Sequence, residues 1–174
     1  MKYVLKKADQ TEVEEIFSLY LKRIQWMNEK GIDQWNNNGY LDDYPVTYYY
    51  EQQKAGRLYV MKVEAADGAG TDDRIAGAVV LLSEDPRWDD GYEVSAYYLH
   101  NFVTDLTAKG AGREIIKAVE ALAVNDHKEK VRLDCSIDNP FLNQYYESMG
   151  YEMAGTCKDG VYEGNRREKC LVLL

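Results

Sequence analysis

A glycine pair set between two cations is the stretch of this sequence best suited to hold a charged ligand. Gly110 and Gly112 stand in Thr107-Ala108-Lys109-Gly110-Ala111-Gly112-Arg113. They separate an aromatic and β-branched run, Tyr97 to Val103, from a stretch where Ile115, Ile116, Val119, Leu122 and Ala123 recur at helical spacing. The first reads as a strand, the second as an amphipathic helix, and the glycines as the turn joining them. Such a turn lets backbone N–H groups face an anion at the helix N-terminus, where the macrodipole also favours negative charge. The ligand it fits is a phosphate or pyrophosphate. The alternative is a tight strand-to-helix turn that binds nothing.

Other chemistry-bearing residues are sparse. The three cysteines, Cys135, Cys157 and Cys170, form neither a zinc pattern nor a disulfide framework. Two histidines, His100 and His127, give metal chemistry little to work with, and no metal is expected. A net charge of −9 argues against a nucleic-acid partner, because no basic stripe is available to neutralise phosphates. An acidic surface suits an amine substrate, although it equally serves solubility. No apolar run approaches the ~20 residues of a membrane span, and the N-terminus is too charged for a signal peptide. The expected location is cytoplasmic, without membrane association.

At 174 residues the chain reads as one domain, 1–174, large enough to bury a core. Lys2 to Lys7 reads as a strand. Asp9 or Thr11 can cap the next helix, with Glu14 as capping-box partner of Thr11. Along that helix Val13, Ile16, Phe17, Tyr20, Leu21, Ile24 and Met27 make an apolar stripe. Trp26 lies about 150° from its centre at 3.6 residues per turn, so it needs a second reason, either a ligand cleft or a partner. Gly31 ends the helix, and Ile32 to Tyr40 is turn-rich. Val46 to Lys54 reads as a second helix, closed by Gly56. Fifteen tyrosines, several in this half, suit the walls of a substrate pocket or a subunit interface.

Leu58–Val63 and Ile75–Leu82 read as strands joined by a polar connection over Ala66–Asp73, and an acidic loop, Ser83 to Asp90, leads into Tyr97–Val103. Beyond the Gly110 helix comes a strand at Val131–Cys135. Asn139 and Pro140 suit the cap and first turn of another helix. Its buried side is read as Phe141, Leu142, Tyr145, Tyr146 and Met149, and Gly150 ends it. Tyr151–Met153 and Lys169–Leu173 read as the last strands, with a long polar connection from Gly155 to Arg167. Strands flanking the last two helices imply right-handed crossovers and a mixed sheet.

This order, with two spaced motifs, resembles the GNAT superfamily of N-acetyltransferases. The family has a turn of the form Arg/Gln-x-x-Gly-x-Gly/Ala after its fourth strand, matched here by Thr107-Ala108-Lys109-Gly110-Ala111-Gly112. It also has an Asn, a Tyr seven residues later, and a Gly-aromatic pair, matched by Asn139, Tyr146 and Gly150-Tyr151. Thr107 departs from the usual Arg or Gln, and the turn to Gly110 is a residue or two shorter. The resemblance implies an α/β fold: a mixed, mostly antiparallel sheet of about seven strands flanked by about four helices, splayed between strands 4 and 5.

It further implies acetyl-CoA as co-substrate, paired through its pantetheine arm to the backbone of Phe102, Val103 and Thr104. Thr107, Lys109, Gly110, Ala111, Gly112 and Arg113 would meet the pyrophosphate, and Asn139 is a further cofactor candidate beside its role as a cap. Tyr146 matches the family's general acid for the departing thiolate. Direct attack by an amine also needs a base. Glu93 and His100 are the candidates, and a histidine suits the task because its charge changes near neutrality. Trp26, Trp35 and Tyr49 or Tyr50 are candidate walls for the acceptor. The implied activity is acetyl transfer to a primary amine, on a small molecule or a peptide, in a ternary complex. The rivals are a non-catalytic acyl-CoA-binding or regulatory module and an interaction protein whose tyrosine-rich half forms a homodimer surface.

Overall fold

The computed structural model describes residues 2–65, 70–88 and 93–172. In chain order these form β1 (Tyr3–Lys7), a 3-10 turn (Gln10–Glu12), α1 (Val13–Lys30), α2 (Tyr40–Asp43), α3 (Val46–Lys54), β2 (Leu58–Glu64) and β3 (Thr71–Leu82). They continue with β4 (Ala96–Thr104), α4 (Ala111–Asn125), β5 (Lys130–Ser136), α5 (Pro140–Glu147), β6 (Glu152–Asp159) and β7 (Tyr162–Cys170). The hydrogen-bonded strand order is β1-β2-β3-β4-β5-β7-β6. The sheet is mostly antiparallel, and β4 and β5 run parallel, as expected for a helical crossover. The expected connection at Ala66–Asp73 lies partly outside the described residues, and its last three residues already belong to β3. The expected acidic loop and final strand also end outside them, at Asp90 and Leu173.

The chain divides into two compact units, Met1–Leu81 with Asn101–Val119 and Leu82–His100 with Glu120–Leu174. In the first, α1 buries Val13, Ile16, Leu19, Tyr20 and Met27. The stripe is rotated from the expected one: Leu21 is 44% exposed and Leu19 only 4%. Burial centres on Ile16, Tyr20 and Met27, which places Leu21 about 120° away and Trp26 about 100° away. Trp26 is therefore half-buried at the stripe's border, rather than on the far face. The helix entry also differs. The backbone N–H of Asp9 donates to Glu12 Oε2 at 2.8 Å, so the box closes two residues early, on Glu12 instead of Glu14. Burial alone would raise the Glu12 pKa; Lys62, whose Nζ lies 2.7 Å from Glu12 Oε1, outweighs it and lowers it. Gly31 ends α1 at φ 64°, as expected.

Gly77 on β3 sets how closely β4 can approach within this unit. A Cβ there would meet the Val103 carbonyl oxygen at 2.6 Å, Ile115 Cδ1 at 2.6 Å and the Thr104 Cα at 3.2 Å. Two of these three atoms are backbone and cannot swing aside. Gly77→Ala is expected to cost roughly 1–3 kcal/mol as an overpacking change, or ~2–4 °C in Tm per kcal/mol at this chain length. An unchanged melting curve would show that β4 yields without penalty.

In the second unit β5 pairs antiparallel with β7 from Lys130↔Cys170 to Ser136↔Gly164, and β6 pairs with β7 down to Asp159↔Tyr162. The stretch Gly155–Arg167, expected as a polar connection, is therefore strand on both sides of a short turn at Gly160. Its polarity misled because β6 is an edge strand, largely exposed, and needs no apolar alternation. On α5, Asn139 Oδ1 accepts the Leu142 N–H at 2.9 Å with Pro140 in the first turn. Tyr146 and Met149 are buried, but Phe141 is 74% exposed. Five residues from Tyr146, it faces about 140° away, and its ring stacks on Tyr145 at the surface. The three cysteines are free thiols, and burial pushes Cys135 up to about 11. No helix among the described residues is long and apolar enough to cross a membrane.

Candidate active site

In the first unit the chemistry gathers around the second half of β4. The parallel ladder to β5 ends at Tyr98↔Arg132, although β4 runs on to Thr104. The interruption is Asn101, at φ 49°, a left-handed conformation that asparagine tolerates better than most residues. Its side chain is clamped from both ends: Tyr48 Oη donates to Oδ1 at 3.0 Å and Nδ2 donates to Tyr40 Oη at 2.8 Å. Its carbonyl accepts the Tyr20 hydroxyl. These rings belong to an aromatic cluster in which Tyr20 meets Tyr49 at 4.6 Å and Trp35 stacks on Tyr40 at 4.6 Å. Much of the tyrosine enrichment thus serves to hold the break in β4.

That assigns the expected acceptor walls different positions. Tyr49 is 0% exposed, with its hydroxyl 3.0 Å from that of Tyr40, so it is core and offers no wall. Tyr50 turns outward and donates to Glu14 at 3.0 Å. Trp35 is half-buried against Tyr40. Trp26 carries the Arg23 guanidinium over its ring at 5.1 Å, and Arg23 donates to the Thr104 carbonyl at 2.9 Å and hydroxyl at 3.0 Å. Its second reason is thus an intramolecular one, the support of an arginine that fixes the end of β4. Sequence reasoning missed Asn101 and Tyr48. The available signal was an asparagine inside an aromatic strand, a residue type depleted in strands.

At the end of β4, Phe102 and Thr104 are half-buried and Val103 is 2% exposed. Asp105 N–H donates to the Ala76 carbonyl at 2.9 Å. The Thr107 N–H and hydroxyl both bond the Asp105 carboxylate, so Thr107 closes the turn itself. Gly110 takes φ 79°, and a Cβ there would meet nothing within 4 Å, so the space over it is open. Ala111 is buried and its N–H reaches the Ala108 carbonyl at 3.1 Å. Later first-turn N–H groups, such as that of Gly112, have no intrahelical acceptor by helix geometry. Lys109 and Arg113 are exposed beside them.

The second unit gathers the ionisable groups. His100 Nε2 lies 2.7 Å from Asp85 Oδ2, with side chains only 11% and 3% exposed. Burial alone would raise the Asp85 pKa; the hydrogen bond to His100 outweighs it and holds the carboxylate below its ordinary value. Asp85 Oδ1 also accepts the Arg87 N–H at 3.0 Å. Asp134 on β5 brings an oxygen within 4.8 Å of both. It is taken up by the Tyr162 hydroxyl at 2.6 Å and by Arg87 at 3.4 Å. Three potential metal ligands stand together here, but each already has a protein partner, and the arrangement is that of a hydrogen-bond network. Glu93, the other candidate base, is exposed and makes no hydrogen bond or ion pair with the described residues. Tyr146 is 7% exposed, its ring between those of Tyr145 and Tyr151. Its hydroxyl makes no hydrogen bond with the described residues, and burial pushes its pKa well above the ordinary phenol value. Asn139 spends its side-chain oxygen on the α5 cap.

Residues 24–151 match the profile described as the acetyltransferase (GNAT) family. A Bacillus subtilis protein named as the uncharacterised N-acetyltransferase YesJ is 27% identical over 159 residues, 87% of this chain and 82% of that protein. Among solved structures, a GNAT-family acetyltransferase of Listeria monocytogenes superposes with a TM-score of 0.77 at 24% identity, over 97% of this chain and 95% of the other. The PaiA N-acetyltransferase of Thermoplasma acidophilum in complex with coenzyme A gives a TM-score of 0.69 at 14% identity, over 98% and 99%. At these identities the two structural likenesses speak for the fold.

Proposed function

Because the chain belongs to the acetyltransferase (GNAT) family, we propose that it transfers the acetyl group of acetyl-CoA to a primary amine by direct attack in a ternary complex. The observation that carries the reading is the end of β4: its ladder to β5 stops at Tyr98 while Phe102, Val103 and Thr104 run on. Backbone groups on that run suit an extended, amide-bearing arm such as pantetheine. The open space over Gly110 and the first-turn amides of α4 suit the pyrophosphate. A relative in fold binds coenzyme A, which favours the same ligand here. Thr107 drops out as a ligand in this reading, because Asp105 already holds it.

Acetyl-CoA supplies the activated thioester. The remaining work falls to side chains. Asp85 holds His100 through Nε2, which makes that nitrogen the protonated one and leaves Nδ1 to take a proton from the acceptor ammonium. The amine then forms its bond to the acetyl carbon as the carbon–sulfur bond breaks, and the proton the nitrogen still carries passes to the departing thiolate, giving the amide and free thiol. The Tyr146 hydroxyl has no hydrogen-bond partner among the described residues, so it is available to the departing sulfur. Its raised pKa keeps it protonated. Against an ordinary thiol pKa of about 8.5, it serves better as a hydrogen-bond donor to the thiolate than as a source of a fully transferred proton.

Incubation with acetyl-CoA and a panel of primary amines tests the reading, with free thiol and N-acetyl product measured together. Release of both in equal amounts is the expected result. Coenzyme A should also raise Tm: a ligand at a hundred times its Kd stabilises by about 2.7 kcal/mol, a shift of several degrees. A clear shift without turnover of any amine would favour an acyl-CoA-binding module. The absence of both would remove the cofactor site.

A further inference from the structure

Between α5 and β7 the second unit buries a cation that no carboxylate neutralises. Arg167, on β7, is 7% exposed, and a guanidinium stays charged and can only donate. Its Nε and Nη2 donate to Asn143 Oδ1 at 3.3 and 3.2 Å, and its Nη1 donates to the Tyr151 carbonyl at 3.2 Å. These acceptors are neutral, and among the described residues no carboxylate forms an ion pair with it. Arg132, equally buried on the neighbouring strand, does have one, Glu168 at 3.0 Å. Asn143 Oδ1 also accepts Asn165 Nδ2–H at 2.8 Å and the Cys135 thiol at 3.4 Å. Four donor atoms thus converge on an oxygen with two lone pairs, so the cluster is short of negative charge. Cys135 does not supply it: burial pushes its thiol up to about 11, and the pull of the Arg167 guanidinium the other way does not offset that. A buried charge with neutral partners alone is costly.

The same contacts lead to the group assigned to the departing sulfur. Tyr151, whose carbonyl holds Arg167, donates its own N–H to the Tyr146 carbonyl at 3.1 Å, and the two rings meet at 6.1 Å. Asn143 precedes Tyr146 by three residues, so both side chains lie on one side of α5. We propose that Arg167 is held without a counter-charge so that its positive charge favours the thiolate leaving at Tyr146. This rests on the reading of Tyr146 as the hydrogen-bond donor to that sulfur. As the carbon–sulfur bond breaks, its electron pair stays on sulfur, and the negative charge that develops there is the one the cluster lacks. A charge already fixed in a buried site needs no reorganisation at that moment.

Asn143→Asp tests this, because it places a carboxylate on Arg167 with almost no change of shape. The carbonyls that Asn143 Nδ2 serves, those of Ser136 and Asn139 at 2.9 Å, keep other donors, the backbone N–H groups of Asn139 and Asn143 at 3.2 and 3.1 Å. The thiol of coenzyme A bound to each chain is titrated by its ultraviolet thiolate absorbance, with the same chain without ligand subtracted. Its acid dissociation constant should be about tenfold smaller on Asn143→Asp than on the native chain, the scale of one charge acting across a few side chains. Arg167→Met should change it in the same direction. In turnover of acetyl-CoA with an amine, Asn143→Asp should lower kcat by about tenfold without lowering Tm, and by less for an acetyl thioester of a more acidic thiol. A bound thiol that titrates alike on the native chain and Asn143→Asp overturns the proposal. So does a loss of kcat that comes with a lower Tm and is the same for every donor. If the titrations differ but no amine is acetylated, the charge keeps its role toward sulfur and the transferase reading fails. A native chain that binds no coenzyme A overturns both.

Discussion

Substituting His100 with glutamine is expected to lower kcat/KM for the amine by roughly 10²- to 10⁴-fold, the usual contribution of a positioned base. The Kd for coenzyme A should not change, because the backbone run assigned to the cofactor begins at Phe102 and the pyrophosphate turn lies beyond it. The companion variant, Asp85→Asn, separates base from support. Asp85 fixes the ring through Nε2 at 2.7 Å, and an asparagine there can still accept from that nitrogen, so Asp85→Asn should lower kcat/KM less than His100→Gln. A His100→Gln variant that kept the rate would return the role of base to Glu93 or to water.

The same pair has a consequence for stability whose sign follows from the carboxylate. The Asp85 pKa is lowered in the folded chain. Its contribution is therefore present above the unfolded carboxylate value of about 3.9 and is lost as pH falls through the still lower folded value. Near neutrality the pair is intact, so Asp85→Asn should lower Tm at pH 7 and lose that effect in acid, below the unfolded carboxylate value.

What could be read in advance was largely local. The Asn139 cap, the Gly31 stop and the α4 stripe each depend on residues a turn or so apart, and all appear where expected. The β6–β7 hairpin did not announce itself, since an edge strand is free to be polar on both faces. Tyr49 and Tyr50 were indistinguishable in sequence. One is sealed in the core and the other reaches Glu14 at the surface, because neighbours on a helix point about 100° apart. The Asp85–His100 pair spans fifteen residues and two different local structures. No spacing rule connects them; only the path of β4 does. The break at Asn101 is similar: its conformation is held by hydroxyls from Tyr20, Tyr40 and Tyr48 on three separate helices. The motif that was legible, Asn139 to Tyr151, lies on one helix and its exit, where sequence spacing and spatial spacing coincide.

Tyr146→Phe is the second substitution with a large expected effect, and it discriminates between two ways the ring could matter. Tyr146 is buried between Tyr145 and Tyr151, so a purely structural ring would be replaced by phenylalanine at little cost in Tm. Its hydroxyl has no protein partner among the described residues, so no internal hydrogen bond is broken by the change. A transferase that uses the hydroxyl at the departing sulfur should lose roughly 10²-fold in kcat, with Tm and the Kd for coenzyme A preserved. The loss should also depend on the leaving group. A thioester whose thiol is more acidic needs less help to depart, so an acetyl donor of that kind should narrow the gap between native chain and variant. A structural role predicts the opposite pattern, a lower Tm and a gap that is the same for every donor. Because burial holds the phenol far above its ordinary pKa, the native chain should show no basic limb from this group below the alkaline range. A basic limb that vanished in Tyr146→Phe at lower pH would mean that the ring ionises during turnover, and the hydrogen-bonding role would have to be abandoned.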